Sequence, residues 1–161
     1  MPSEPRIEQR PEQLYVGIGA VMPLDAFERD IPAMTERVLG WLKTRGLKPS
    51  GRPFLRYNVI DMPERLDVEL GVPVEVAAEG DGGVKAGVLP AGRYAVMTYQ
   101  GAKNGVAANK ALFKWIEAQN VEAVSHKSAD GEVFAARYET FLNDVEDQGA
   151  LETEVAMKLR E

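Results

Sequence analysis

The sequence predicts an α+β fold. It is a tandem repeat of two β-α-β-β units that form an antiparallel sheet, with the helices packed on the sheet and a groove at the pseudo-twofold junction. Three observations carry this prediction. A strand-like stretch, a helical period and two more strand-like stretches follow one another before residue 79. The same order returns from residue 84. Between them lies Glu79-Gly80-Asp81-Gly82-Gly83, the most flexible composition in the chain. Repeat one is therefore set at about 6–78, the linker at about 79–83 and repeat two at about 84–161.

In the first repeat, Gln9 to Met22 is extended, with Leu14, Tyr15, Val16, Ile18 and Val21 among glycines, and Pro23 stops it. Ile31, Met34, Val38, Trp41 and Leu42 then fall on one face of a helix from about Asp25 to Arg45, with Gly46 as its C-terminal cap. Phe54 to Ile60 and Leu66 to Val74 read as strands. In the second of these Val68, Leu70 and Val72 alternate with Asp67, Glu69 and Gly71, so one face is buried.

The second repeat opens with extended Val84 to Gln100, kinked at Pro90-Ala91-Gly92. Asn104 to Gln119 is helical, with Ala108, Ala111, Leu112, Trp115 and Ile116 on one stripe. His126 to Gly131 reads as a polar loop, and Glu132 to Leu142 and Glu152 to Leu159 as strands. Residues match as well as elements: Pro11 to Tyr15 with Pro90 to Tyr94, Trp41-Leu42 with Trp115-Ile116, and Arg56-Tyr57-Asn58 with Arg137-Tyr138-Glu139.

Composition narrows the chemistry. A chain of 161 residues with 45% hydrophobic and 27% charged residues can bury a core without staples. With no cysteine there is no disulfide, thiolate nucleophile or sulfur-ligated metal. The lone histidine, His126, follows Ser125 in a polar stretch and is assigned to the surface; no metal site or cofactor is expected. The net charge of -6 argues against general affinity for nucleic acid. The polar start, Met1 to Gln13, and the absence of a long apolar run predict a soluble, cytoplasmic protein with no membrane partner. Gly17-Ile18-Gly19 lacks the third glycine of a dinucleotide loop, so close strand approach explains it better.

Glu139 is the sharpest candidate for function. Alternation places Arg137, Glu139 and Phe141 on one strand face and Tyr138, Thr140 and Leu142 on the other. A carboxylate in mid-strand among aromatics is costly without a partner. Either a cationic ligand supplies that partner, or Glu139 faces solvent and pairs with Arg137 or a neighbouring strand. Its repeat counterpart is Asn58, on the face shared with Phe54, Arg56 and Ile60, so a two-carboxylate glycosidase is not suggested. Met97 and Tyr99 share a face opposite Tyr94 and Val96. Tyr99 and Phe141 are assigned to the cleft and Tyr94 to the core, and Trp41 to packing. Tyr57, Phe54, Met97 and Trp115 complete the candidate wall, while Glu69 and Glu154 are read as solvated or paired.

Three segments resemble the gyrase-inhibitor-like (GyrI-like) small-molecule-binding domains: Gly87-Val-Leu-Pro-Ala-Gly-Arg-Tyr-Ala95, Asp67-Val-Glu-Leu-Gly-Val-Pro-Val74 and Arg137-Tyr-Glu-Thr-Phe-Leu-Asn-Asp144. The resemblance runs in order from about Arg6 to Leu159 and departs from the family pattern at Ala102-Lys103-Asn104. It implies a ligand cleft between the repeats, lined by aromatics with an acid at its floor. It also implies relatedness to the effector-binding domains of AraC- and MerR-type multidrug regulators, which sense lipophilic cations. The expectation that follows is a stand-alone binder of lipophilic, cationic or heteroaromatic small molecules, without direct nucleic-acid contact. Two alternatives accompany it. One is a hydrolase of cyclopropane-bearing or other strained natural products, with Glu139 and Tyr99 as catalytic pair. The other is a gyrase-inhibitor-like regulator with a protein partner.

Overall fold

Side-chain alternation and helical period translate into strands and helices largely where they were expected. The computed structural model describes residues 4–161, so the first three residues of the polar N-terminal stretch lie outside the described residues. The elements in chain order are β1 (Arg6–Arg10), β2 (Gln13–Met22), α1 (Phe27–Thr44), β3 (Phe54–Asp61), β4 (Arg65–Pro73), β5 (Lys85–Leu89), β6 (Gly92–Gln100), α2 (Gly105–Ala118), β7 (Ser125–Ser128), β8 (Gly131–Phe134), β9 (Arg137–Phe141) and β10 (Glu152–Lys158). The strands form one antiparallel sheet in the order β1-β6-β10-β9-β3-β4-β2-β5, with β8 also on β3 and β7 on β8. From the centre outward the strands match in pairs: β9 with β3, β10 with β4, β6 with β2, and β1 with β5. The outermost strands are exchanged. β1 lies against β6 of the second half, and β5 lies against β2 of the first.

Three boundaries differ from the sequence reading. The extended run from Gln9 splits around Pro11, because β1 and β2 belong to opposite ends of the sheet. Most of the stretch from His126 to Gly131, read as a loop, belongs to strands: its first half lies in β7, a polar strand at the sheet's edge whose outer side faces water, and Gly131 opens β8. The single strand expected over 132–142 breaks at Ala135-Ala136, where Ala135 N–H donates to the Val124 carbonyl and the Ala136 carbonyl accepts from Lys158 N–H. At the end of α1, Gly46 takes φ +68, and Leu47 N–H returns to the Leu42 carbonyl, as a glycine C-cap requires.

Both faces of the sheet carry buried side chains. α1 packs on β2 and β4, and Val38 and Leu42 meet Val16, Ile18, Val68 and Leu70. α2 packs on β6, and Leu112 and Ile116 meet Ala95, Met97, Val155 and Met157. Each such side chain, fully buried, contributes about 1.5–3 kcal/mol. The opposite face buries Tyr15, Phe54, Tyr94 and Tyr138 with Val96 and Ala156. Trp41 sits at the flank of α1, only partly buried, and its indole N–H donates to Asp81 in the linker at 2.8 Å. Gly17 lets β2 approach β4: a Cβ there would lie 2.6 Å from the Leu70 carbonyl oxygen. No helix among the described residues is long and apolar enough to cross a membrane.

Candidate functional site

In an antiparallel pair, residues directly opposite each other project to the same face, so strand register assembles the site. On the helix-covered face, Tyr99, Thr153 and Phe141 form one row across β6, β10 and β9. Met97, Val155, Glu139 and Leu55 form the next, reaching β3. Because α1 covers β4 and β2, and α2 covers β6, the central pair β9 and β3 lies at the seam between the two helix-covered halves.

Glu139 is recessed in this seam, with 6% of its surface exposed. The Tyr99 hydroxyl donates to its Oε1 at 2.5 Å, and Asn109 Nδ2 on α2 lies 3.5 Å from its Oε2. The Tyr57 phenol lies close enough to feel the charge of the same carboxylate. Burial first, and then the Glu139 charge, push both phenols well above the ordinary tyrosine value, so both stay protonated.

Asn109 links the acid to a cation. Its Oδ1 accepts from an Arg137 guanidinium nitrogen at 2.8 Å, while its Nδ2 also donates to the Gly105 carbonyl at 2.8 Å. The Arg137 guanidinium sits among three rings, 4.7 Å from the centroid of Phe134, 5.1 Å from Phe113 and 5.5 Å from Tyr57. Burial pulls its pKa down and the Glu139 charge opposes that pull; an arginine remains charged in such a setting. Its Nε is buried without a hydrogen-bond partner among the described residues. The seam therefore holds a carboxylate, an amide and a guanidinium in sequence, walled by aromatics.

The structure gathers Glu139, Tyr99, Tyr57, Met97 and Phe141 on this face, with Trp115 partly buried on α2. It does not gather Phe54 or Asn58. Phe54 lies on the other face, edge-on to Tyr15 at 5.0 Å and to Tyr138 at 5.5 Å. The register of β3 shifts between Tyr57 and Val59, leaving Asn58 as the extra residue of a bulge. That bulge turns Ile60 to the α1 side, whereas Phe54 and Arg56 stay on the opposite one, so the face once assigned to all four is not continuous. Tyr94, Val96 and Tyr138 also occupy that opposite face, as alternation predicted. Glu69 and Glu154 are both paired, Glu69 with the Tyr15 hydroxyl and Glu154 with Arg10 at 2.8 Å. A hollow of about 260 Å³ lies on the same opposite face between Arg10, Phe54, Tyr94, Tyr138 and Glu154, and does not reach Glu139.

Sequence reasoning missed Asn109, Phe113 and Phe134, and weighed Arg137 only as an ion-pair partner. Asn109 had a signal: it stands three and seven residues before Leu112 and Ile116, so an amide interrupts the apolar stripe of α2. Phe113 and Phe134 had none, because their rings, 6.3 Å apart and both against Arg137, come from different elements that only the fold brings together.

A family model described as GyrI-like small molecule binding domain matches residues 3–160. No curated protein matches the chain. Among solved structures, the C-terminal domain of EcmrR superposes with a TM-score of 0.80 at 17% identity, covering 98% of both chains. The chain spans 57% of the longer EcmrR chain seen in a DNA complex. SAV2435, solved bound to tetraphenylphosphonium, superposes with a TM-score of 0.61 at 15% identity, covering 98% of this chain and 94% of that one. A hydrolase from Listeria innocua superposes with a TM-score of 0.65 at 11% identity, covering 98% and 92%. At these identities the likenesses establish a shared fold.

Proposed function

The chain belongs to the GyrI-like small-molecule-binding family, and on that footing we propose that an aromatic ligand, a lipophilic cation or a heteroaromatic, is taken in the seam over β9 and β3. Glu139 is the polar anchor, and Tyr57, Tyr99, Met97, Phe141 and Trp115 are the wall. The carrying observation is the recessed Glu139 carboxylate, held by Tyr99 on the central strand between two helix-covered halves. A buried acid with aromatic neighbours offers charge, stacking and shape, which suits broad recognition. The ligand-bound SAV2435 supports the reading by analogy of fold. The same reading takes the chain as a duplicated β-α-β-β unit, supported by the outward matching of strands from β9 and β3.

The test is calorimetric titration with a panel of aromatic cations and uncharged heteroaromatics, for the wild type, Glu139→Gln and Tyr99→Leu. One-site binding that both substitutions weaken at least tenfold is expected. Equal affinities across the three proteins for every probe that binds would refute the assignment. A second reading, hydrolysis of a strained electrophile, draws on the same Glu139–Tyr99 contact and on the hydrolase among the structural neighbours. Turnover of a cyclopropane-bearing substrate that disappears in Glu139→Ala would select it.

A further inference from the structure

The ring cage beside Glu139 has the composition that recognises an organic cation, yet the chain's own Arg137 fills it. Two consequences follow from the geometry. First, the Glu139 charge already has a resident counter-charge two residues away on the same strand face, so an incoming cation meets attraction and repulsion together. Second, the guanidinium keeps one buried N–H, on Nε, that no group of the described chain accepts. A buried donor left in that state is unfavourable until an acceptor arrives. Along β9 the two residues stand about 7 Å apart along the backbone, the repeat of two strand residues. A ligand lying over β9 thus meets a donor at one end and an acceptor at the other.

We propose that Arg137 is the specificity-determining residue of the seam, selecting an uncharged aromatic ligand that carries a strong hydrogen-bond acceptor over a permanent cation. The inference rests on the seam being the binding site, and it narrows the ligand class of that reading. An acceptor oxygen takes the Arg137 Nε–H while the ligand's rings replace part of the contact with Phe113 and Phe134. A cation gains the cage only if Arg137 leaves it, which breaks the 2.8 Å bond to Asn109.

The experiment compares two probes of similar shape and different charge, tetraphenylphosphonium and triphenylphosphine oxide, by calorimetry at fixed ionic strength. The proteins are the wild type, Arg137→Met and Arg137→Gln; the glutamine variant keeps a polar side chain for Asn109 and serves if the methionine variant is poorly folded. The wild type is expected to bind the oxide at least tenfold more tightly than the phosphonium. Both variants are expected to gain at least tenfold for the phosphonium and to lose affinity for the oxide. A probe ratio unchanged by either variant, or a wild type that prefers the cation, overturns the role of Arg137. In that case a Glu139→Gln variant that still weakens binding leaves the seam standing as the site. If neither probe binds any of the proteins, both the site and the selector are refuted.

Discussion

Replacing Tyr99 by Phe removes one hydroxyl from the seam and leaves the ring in place. In the native chain that hydroxyl donates to Glu139 Oε1 at 2.5 Å, and the other side-chain donor is an Asn109 amide 3.5 Å from the second oxygen. A hydrogen bond to a charged acceptor contributes about 1.5–3 kcal/mol net, and a buried oxygen deprived of its donor keeps its full desolvation cost. Tyr99→Phe should therefore destabilise the fold by about 2 kcal/mol. For a domain of this length that corresponds to a Tm lower by roughly 4–8 °C. The assay is urea unfolding followed by circular dichroism, carried out as a double-mutant cycle with Glu139→Met. With an apolar side chain of similar length at 139, the Tyr99 hydroxyl has lost its acceptor, so Tyr99→Phe should then be neutral or stabilising. A coupling of about 2 kcal/mol is expected. Additivity of the two substitutions within about 0.5 kcal/mol would show that the contact carries no energy and would refute the reasoning.

Alkaline stability and the strand contact at Gly17 offer two further tests. All five tyrosines have pKa values raised by burial, so above pH of about 10 the unfolded chain loses phenolic protons that the native chain retains. Their contribution to stability is complete below that pH and declines as pH rises toward the native values; tyrosinate absorbance should emerge together with loss of circular dichroism, and ordinary titration of a tyrosine in the folded protein would contradict this. Gly17→Ala should cost about 2–3 kcal/mol, because its Cβ would press on the Leu70 carbonyl at 2.6 Å, while Gly19→Ala, whose nearest contact is 3.6 Å, should cost under about 1 kcal/mol; equal urea midpoints for the two variants would contradict the close approach of β2 and β4.

Alternation along β9 and β6 was enough to put Glu139 with Phe141 and Tyr99 with Met97, because two-residue periodicity is a local property of each strand. That Tyr99 and Glu139 touch depends on β10 lying between their strands, with Val155 facing both Met97 and Glu139. The same rule failed on β3. One extra residue near Asn58 reverses the alternation, and no residue type there announces a bulge. Asn109 was legible as an amide on an apolar stripe, but its link to Arg137 spans 28 residues of chain and two elements.

By itself, then, the order of residues determined element types, their approximate limits and the inward face of most strands. These properties arise from interactions within a few residues. The three-dimensional fold alone decided the exchange of β1 and β5, the break before β9, and the enclosure of Arg137 by Phe113, Phe134 and Tyr57. Closing a loop costs only slightly more as it lengthens, so many strand pairings are comparable in local cost. The arrangement that buries both helix faces and both sheet faces together selects among them.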